Sequence, residues 1–204
     1  AITPRTRVME ITHITNLTGQ ILPVKELIAM ARAKGVVTFV DGAHAFAQFP
    51  FTRDELDVDY YGTSLHKWLL APIGTGFLYV RKEKIESMWP LMAGNPGQEA
   101  DIRKYEEIGT HPAANHNAIS VSLAFHRAIG AARKQARLKF LRDRWAKRLL
   151  AEGKGRVQVL TPLDSKWGGG IGFFNVDGLD PVKLGGWLFS AHRIAQRVGG
   201  GDAD

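Results

Sequence analysis

Strand-like runs and helical patterns alternate along the first 81 residues of the chain. Four runs predict strands, at residues 7–15, 36–40, 56–61 and 74–81. The second run is continuously apolar, which is typical of a strand that is covered on both faces. Between the first two runs, residues 23–34 carry apolar side chains at helical spacing and stop at Gly35, a common residue at helix ends. This alternation predicts an α/β fold with a mostly parallel sheet and helices on both faces.

The second half of the chain has a slower rhythm. Two helices, or one long helix bent near Gly130, are predicted over 112–129 and 131–151. Further strands are predicted at 157–160, 171–176 and 193–198. Asp180 before Pro181 has the pattern of an N-cap followed by a helical first turn. We therefore predict that residues 1–130 form the C-terminal part of a large domain, and residues 131–204 a connecting helix with a truncated α+β domain.

Composition narrows the class of protein. The chain is 45% hydrophobic and 23% charged, as in ordinary globular proteins, and it lacks the run of about 18 apolar residues that crosses a membrane. It contains no cysteine, which excludes disulfides and thiolate chemistry in these residues. The start at Ala1, without a signal peptide, leads us to expect a fragment of a larger, cytoplasmic protein whose native N-terminus is absent.

The formal net charge of +7 comes largely from a basic stretch over residues 127–156. Aliphatic residues run through this stretch at helical spacing, so it predicts an amphipathic helix with a solvated basic face. No zinc spacing and no interleaving of aromatic with basic residues accompanies it. We expect neither nucleic-acid nor membrane binding, while a basic module that binds acidic partners stays open as a distant alternative.

Asp41 and Lys67 are the residues with the clearest chemistry. Each follows a predicted strand, and ligands of open α/β sheets bind at the carboxyl ends of strands. A lysine and a carboxylate placed there can hold the two poles of a pyridoxal phosphate ring. The lysine would form a Schiff base with the cofactor, and the aspartate would keep the ring nitrogen protonated.

Three motifs carry a family resemblance. Residues 40–45 (VDGAHA), 64–68 (SLHKW) and 74–80 (GTGFLYV) occur in an order and at spacings that resemble the class V aminotransferases, which are pyridoxal-phosphate enzymes of fold type I. The sequence HKWLLAP at residues 66–72 is most similar to the isopenicillin N epimerase-like branch. The resemblance implies a large cofactor domain, a smaller second domain, an amino-acid substrate and a homodimer with a shared active site.

The resemblance also assigns roles to individual residues. Lys67 matches the lysine that binds the cofactor covalently, and Asp41 the aspartate on the ring nitrogen. The other cofactor contacts that it implies are made by His44 at the phenolic oxygen, Asn16 near the ring hydroxyl, Ser64 and His66 at the phosphate, and Thr110 at the phosphate of the neighbouring subunit. Arg197 resembles an arginine near the substrate carboxylate. The upstream part of the family's cofactor cradle precedes Ala1, so we expect the isolated chain to bind cofactor poorly and to be inactive alone.

The reaction itself stays open between several alternatives. The epimerase-like motif favours an epimerase or an aminotransferase that acts at the α-carbon of an amino acid. A cysteine desulfurase or selenocysteine lyase needs a catalytic thiol, and the loosely aligned position is Asp202. A metal-dependent hydrolase would draw ligands from His111 and His116, or from Asp41 and His44, but neither pair forms a closed set with the other histidines. We therefore predict no metal. Substrate and stereochemistry do not follow from the sequence.

Overall fold

The computed structural model describes residues 2–164 and 166–198. These residues group into two compact units. The first contains the described residues before Thr15 together with Leu22–Gln135. The second contains Thr15–Ile21 and the described residues from Ala136 onwards. The predicted domain boundary between residues 130 and 131 stays a prediction.

The first unit is built on a four-stranded sheet in the order β1-β2-β3-β4. The strands are Val8–Thr12 (β1), Val37–Asp41 (β2), Tyr60–Ser64 (β3) and Gly76–Val80 (β4). The first three strands run parallel and β4 is antiparallel to β3, which confirms the predicted mostly parallel sheet. Since parallel strands end at one edge, the residues that follow β1, β2 and β3 emerge on the same side of the unit.

Helices of the first unit are fixed by local sequence signals. The helix α1 spans Val24–Arg32 and buries Val24, Ile28 and Ala31, which lie on one helical face. Residues 51–56 include a short helix, α2 (Arg53–Leu56), whose N-cap Thr52 and Glu55 form a reciprocal capping box. Single 3-10 turns follow at Lys82–Lys84 and Ile102–Tyr105.

Two long helices follow, and Gly130 separates them. The helix α3 spans Ala113–Ile129 and α4 spans Ala131–Glu152. Gly130 has φ 86° and ψ 128°, outside the helical region and at a φ that favours glycine. The alternative of one continuous bent helix is therefore wrong.

The second unit contains a small antiparallel sheet and a helix. Strands β5 (Val157–Val159) and β6 (Phe174–Val176) pair with each other, and α5 spans Pro181–His192 behind its N-cap Asp180, as predicted. Arg142 of α4 departs from the predicted solvated basic face, because its side chain is buried. Its guanidinium donates to the carbonyl of Gly169 and to the carboxylate of Asp143.

The strand predicted at residues 193–198 is wrong. The helix α5 ends where Arg193 takes a left-handed conformation, and residues 193–198 then continue without regular structure. Within the described part of the chain no strand pairs with this segment, and an unpaired strand leaves its backbone groups unsatisfied. The aligned position Asp202 lies outside the described residues. No helix among the described residues is both long and apolar enough to cross a membrane.

Candidate active site

The carboxyl edge of the parallel strands brings the principal predicted residues to one side of the sheet. Asp41 is the last residue of β2 and lies in register with Thr12 of β1 and Gly62 of β3. β3 ends at Ser64, and Lys67 follows three residues later in the turn that leads towards β4. Asp41 and Lys67 therefore leave neighbouring parallel strands at the same edge.

The turn after Asp41 is fixed by a hydrogen bond and by a close packing contact. Asp41 Oδ1 accepts a hydrogen bond of 2.8 Å from the backbone N–H of Ala43. The ring of Tyr61 lies against Gly42, where a Cβ atom would come within 2.0 Å of the tyrosine Cζ and hydroxyl oxygen. Only glycine fits there without displacing Tyr61. Burial, together with the negative charge of Asp41, raises the pKa of Tyr61 above its usual range.

The turn that carries Lys67 is anchored by buried apolar residues. Leu65, Leu69 and Ala71 are buried together with Ala47 in one cluster. The backbone N–H of Ala71 donates to the carbonyl of Leu65 over 3.1 Å, and the N–H of Leu65 donates to the carbonyl of Thr75 over 3.0 Å. Lys67 itself is half-buried. Its flanking residues thus hold the turn while its amine remains at the surface of the sheet edge.

His44 links the two turns. Its Nε2 lies 3.1 Å from Lys67 Nζ, and the indole N–H of Trp68 donates to its Nδ1 over 3.4 Å. The backbone carbonyl of His44 also accepts a 2.7 Å hydrogen bond from the side chain of the buried Gln48. The structure therefore brings the predicted residues Lys67 and His44 into direct contact, three positions after Asp41.

The other predicted residues of the first unit differ in exposure. Ser64 is half-buried at the end of β3, and His66 is exposed in the Lys67 turn. Both hydroxyl and imidazole groups can bind a phosphate from this edge. Thr110 is exposed in the segment before α3, where it can reach a molecule outside this unit. These three assignments stay predictions.

Asn16 and Arg197 belong to the second unit, where they line the same cavity of about 580 Å³. Apolar side chains such as Trp145 and Leu188 form much of its wall. Both predicted residues are exposed. A cavity with an apolar wall and a guanidinium at its rim suits a small anionic ligand.

Three residues around this edge carry structural roles that the sequence did not reveal. Trp68 contacts His44, Tyr61 packs behind Asp41, and Gly42 leaves room for the tyrosine ring. All three lie inside or beside the recognised motifs. Their contacts cross between strands, so neither spacing nor residue type alone could indicate them.

The metal alternative gains little from the structure. The rings of His111 and His116 meet edge to face with centroids 4.7 Å apart. Within residues 2–164 and 166–198 there is no group of three or more histidine, aspartate or glutamate side chains that could hold a metal ion. Two imidazoles alone do not make a typical zinc site.

Comparison with known families gives the assignment. Residues 1–202 match the family model described as Aminotransferase class-V. The chain belongs to the class-V aminotransferase family. This class-V chain is 34% identical over 215 residues to isopenicillin N epimerase of Streptomyces clavuligerus, an alignment that covers 97% of the chain and 54% of that enzyme. The chain spans about half the length of this relative.

Solved structures share the fold of this class-V chain. The cysteine desulfurase CsdA of Escherichia coli, in an S-sulfonic acid form, superposes with a TM-score of 0.80 at 26% identity, over 96% of this chain and 49% of CsdA. A lysine-to-alanine mutant of C-DES with glycine covalently linked to the PLP cofactor superposes with a TM-score of 0.79 at 25% identity, over 96% of this chain and 54% of C-DES. The predicted fold type I is confirmed.

Proposed function

We propose that the complete protein is a pyridoxal-phosphate enzyme that acts at the α-carbon of an amino acid, as an epimerase or an aminotransferase. The observation that carries this proposal is the contact of 3.1 Å between Lys67 Nζ and His44 Nε2 at the edge where Asp41 ends its strand. Membership of the class-V family and the PLP-linked structure of C-DES support the choice of cofactor.

The residues at this edge fit the cofactor chemically. Among the described residues Asp41 accepts a side-chain hydrogen bond through Oδ1 alone, so its second oxygen can accept an N–H from a pyridinium ring. Lys67 supplies the amine that binds the cofactor covalently. Ser64 and His66 supply donors for a phosphate. A phosphate-bearing pyridine aldehyde is the kind of group that this donor and acceptor set would hold.

When bound, pyridoxal phosphate withdraws electrons from the α-carbon of the amino acid that it carries, so that this carbon can lose a proton. Lys67 Nζ is the base that we assign to this proton. His44 orients that amine, and Asp41 keeps a positive charge on the ring nitrogen through its own negative charge. Arg197 and Asn16 are the residues that we assign to the amino-acid carboxylate and the ring hydroxyl.

The two candidate reactions differ in where Lys67 delivers the proton. Return to the α-carbon from the opposite face, with help from a second acid, gives epimerisation. Delivery to the former aldehyde carbon of the cofactor gives transamination. The relative from Streptomyces clavuligerus favours the first reaction.

Cysteine desulfuration is the second candidate, and the superposition on CsdA favours it. That chemistry needs a thiol nucleophile, and the chain contains no cysteine. A desulfurase role would therefore need a thiol from outside this chain, which makes it the weaker proposal.

An assay of the complete protein separates these reactions. We expect single-enantiomer amino acids to lose optical purity without a keto-acid acceptor if the enzyme is an epimerase, and to give a new amino acid only with the acceptor if it transfers the amino group. Sulfide release from cysteine would favour the desulfurase instead. Lys67→Ala is expected to lower any of these activities by a factor of at least about 1,000, since it removes both the covalent link and the base. Activity retained in that variant would contradict the proposal.

A further inference from the structure

We propose that Trp68 is a positioning residue that fixes the tautomer of His44 and thereby keeps Lys67 Nζ as an unprotonated amine. This inference rests on the proposed function, because an unprotonated amine is what Lys67 needs in order to attack an aldehyde. The observation behind it is the pair of contacts that His44 makes through its two ring nitrogens, 3.4 Å to Trp68 Nε1 and 3.1 Å to Lys67 Nζ.

The tautomer follows from the chemistry of the indole. The indole N–H of tryptophan only donates hydrogen bonds, so the Nδ1 atom of His44 must accept. An imidazole that accepts at Nδ1 carries its proton on Nε2. The other neutral tautomer would point one N–H at another, and the imidazolium cation would do the same. Trp68 thus selects the form of His44 that has its proton on the side of Lys67.

The protonation state of Lys67 follows from that of His44. His44 Nε2–H is a donor, so across the 3.1 Å contact Lys67 Nζ must offer its lone pair. A lysine ammonium has three donors and no acceptor, so it cannot take this role. The neutral amine is the form that the three side chains favour together. The same Nε2–H would be presented to the phenolic oxygen of the cofactor.

Trp68 is also held in place independently of its indole. Lys134 of α4 donates to the backbone carbonyl of Trp68, and the ring packs on the cluster of Leu65, Leu69 and Ala71. The other titratable groups around this turn are Asp41 at the end of β2 and His66 beside Lys67. Replacing the indole by a phenyl ring therefore removes the donor while it leaves the apolar packing and the backbone contact.

Trace labelling of lysines in the cofactor-free complete protein tests this inference, because acetic anhydride acylates only unprotonated amines. Labelling of Lys67 is measured by mass spectrometry across pH 6 to 11, relative to the exposed Lys25. In Trp68→Phe, labelling at pH 8 is expected to fall about three- to tenfold, as the loss of one modest hydrogen bond implies. The pH of half-maximal labelling should rise by about half a unit to one unit. Trp167→Phe, which removes a half-buried indole of the second unit, should change neither value.

A double-variant cycle shows whether Trp68 acts through His44. His44→Leu alone should lower the labelling of Lys67, and adding Trp68→Phe should lower it no further, since the link is already broken. An equal effect of Trp68→Phe in both backgrounds, or no effect in either, would overturn the inference. Circular dichroism of each variant establishes that it is folded.

Nitrogen-15 spectra of histidine in the cofactor-free wild-type protein supply a second reading that needs no Trp68 variant. The His44 signal, identified by its loss in His44→Leu, is expected to show the proton on Nε2. A proton on Nδ1, or on both nitrogens at pH 8, would overturn the inference. Neither measurement uses the cofactor, so a failure of Lys67 to bind pyridoxal phosphate would count against the proposed function alone.

Discussion

At the scale of single residues, the sheet edge depends on polar groups that are buried beside the apolar core. His13 follows β1, is 4% exposed, and meets the rings of Phe49, Phe51 and Tyr61 at centroid distances between 4.8 and 6.3 Å. Its Nδ1 atom has no hydrogen-bond partner among the described residues. Burial disfavours the imidazolium and lowers the pKa of His13 to about 4.

The buried His13 predicts an acid-sensitive stability. As pH falls below 6.5, the ordinary pKa, the unfolded chain takes up a proton that the folded chain refuses until about pH 4. The free energy of unfolding should therefore fall by about 2 kcal/mol between pH 7 and pH 5 on account of this residue. Urea denaturation at the two pH values measures this. His13→Leu should lose that part of the pH dependence, whereas His116→Leu, at an exposed position, should keep it. Equal slopes in the two variants would contradict the assignment.

The sequence could predict the residues whose chemical type is itself the signal. Asp41 and Lys67 follow strand-like runs, and His44 stands in a motif, so all three were visible in one dimension. The contacts of Trp68 with His44, and of Tyr61 with Gly42, join separate strands. They depend on strand register, which a single sequence does not specify.

At the scale of elements, local signals determine where the helices begin and end. Capping residues Thr52 and Asp180 begin α2 and α5, and Gly130 separates α3 from α4. Such signals act within a few residues, and for that reason most predicted elements are confirmed. The strand predicted at 193–198 failed because a strand needs a partner, and its apolar pattern says nothing about whether one is present.

Gly130 offers a test of this local control. Nothing lies within 4 Å of a Cβ atom built there, so a substitution meets no steric contact and acts through φ alone. Gly130→Ala should destabilise the protein by about 1–2 kcal/mol, since φ 86° is strained for an L residue. Gly186→Ala is the matched control: it also has open space, but it lies inside α5, where alanine should stabilise by up to about 1 kcal/mol. Thermal melting compares them, and equal shifts for both would contradict the role of φ.

At the scale of the whole molecule, the chain accounts for about half of its full-length relative. The sheet edge holds Lys67, Asp41 and His44 in the first unit, while Asn16 and Arg197 lie in the second. Thr110 is exposed, and we assign it to the phosphate in a neighbouring subunit. A complete site would then need more than one subunit of the whole protein.

Mixing two inactive variants tests the shared site. In a dimer of Lys67→Ala with Thr110→Ala complete protein, one of the two sites keeps both wild-type residues if Thr110 acts across the interface. Random mixing should then restore about a quarter of wild-type cofactor binding, because half the dimers carry one intact site out of two. No recovery in mixed dimers, verified by differential tags, would show that Thr110 serves its own subunit or none.

The central claim is that Lys67 binds pyridoxal phosphate covalently, and one measurement tests it directly. The complete protein is incubated with the cofactor, reduced with borohydride, digested and mapped by mass spectrometry. We predict a stable pyridoxyl group on Lys67 in the wild type and no modified peptide from this region in Lys67→Ala. Stoichiometric modification of a different lysine, with Lys67 untouched, would contradict the assignment of the active site.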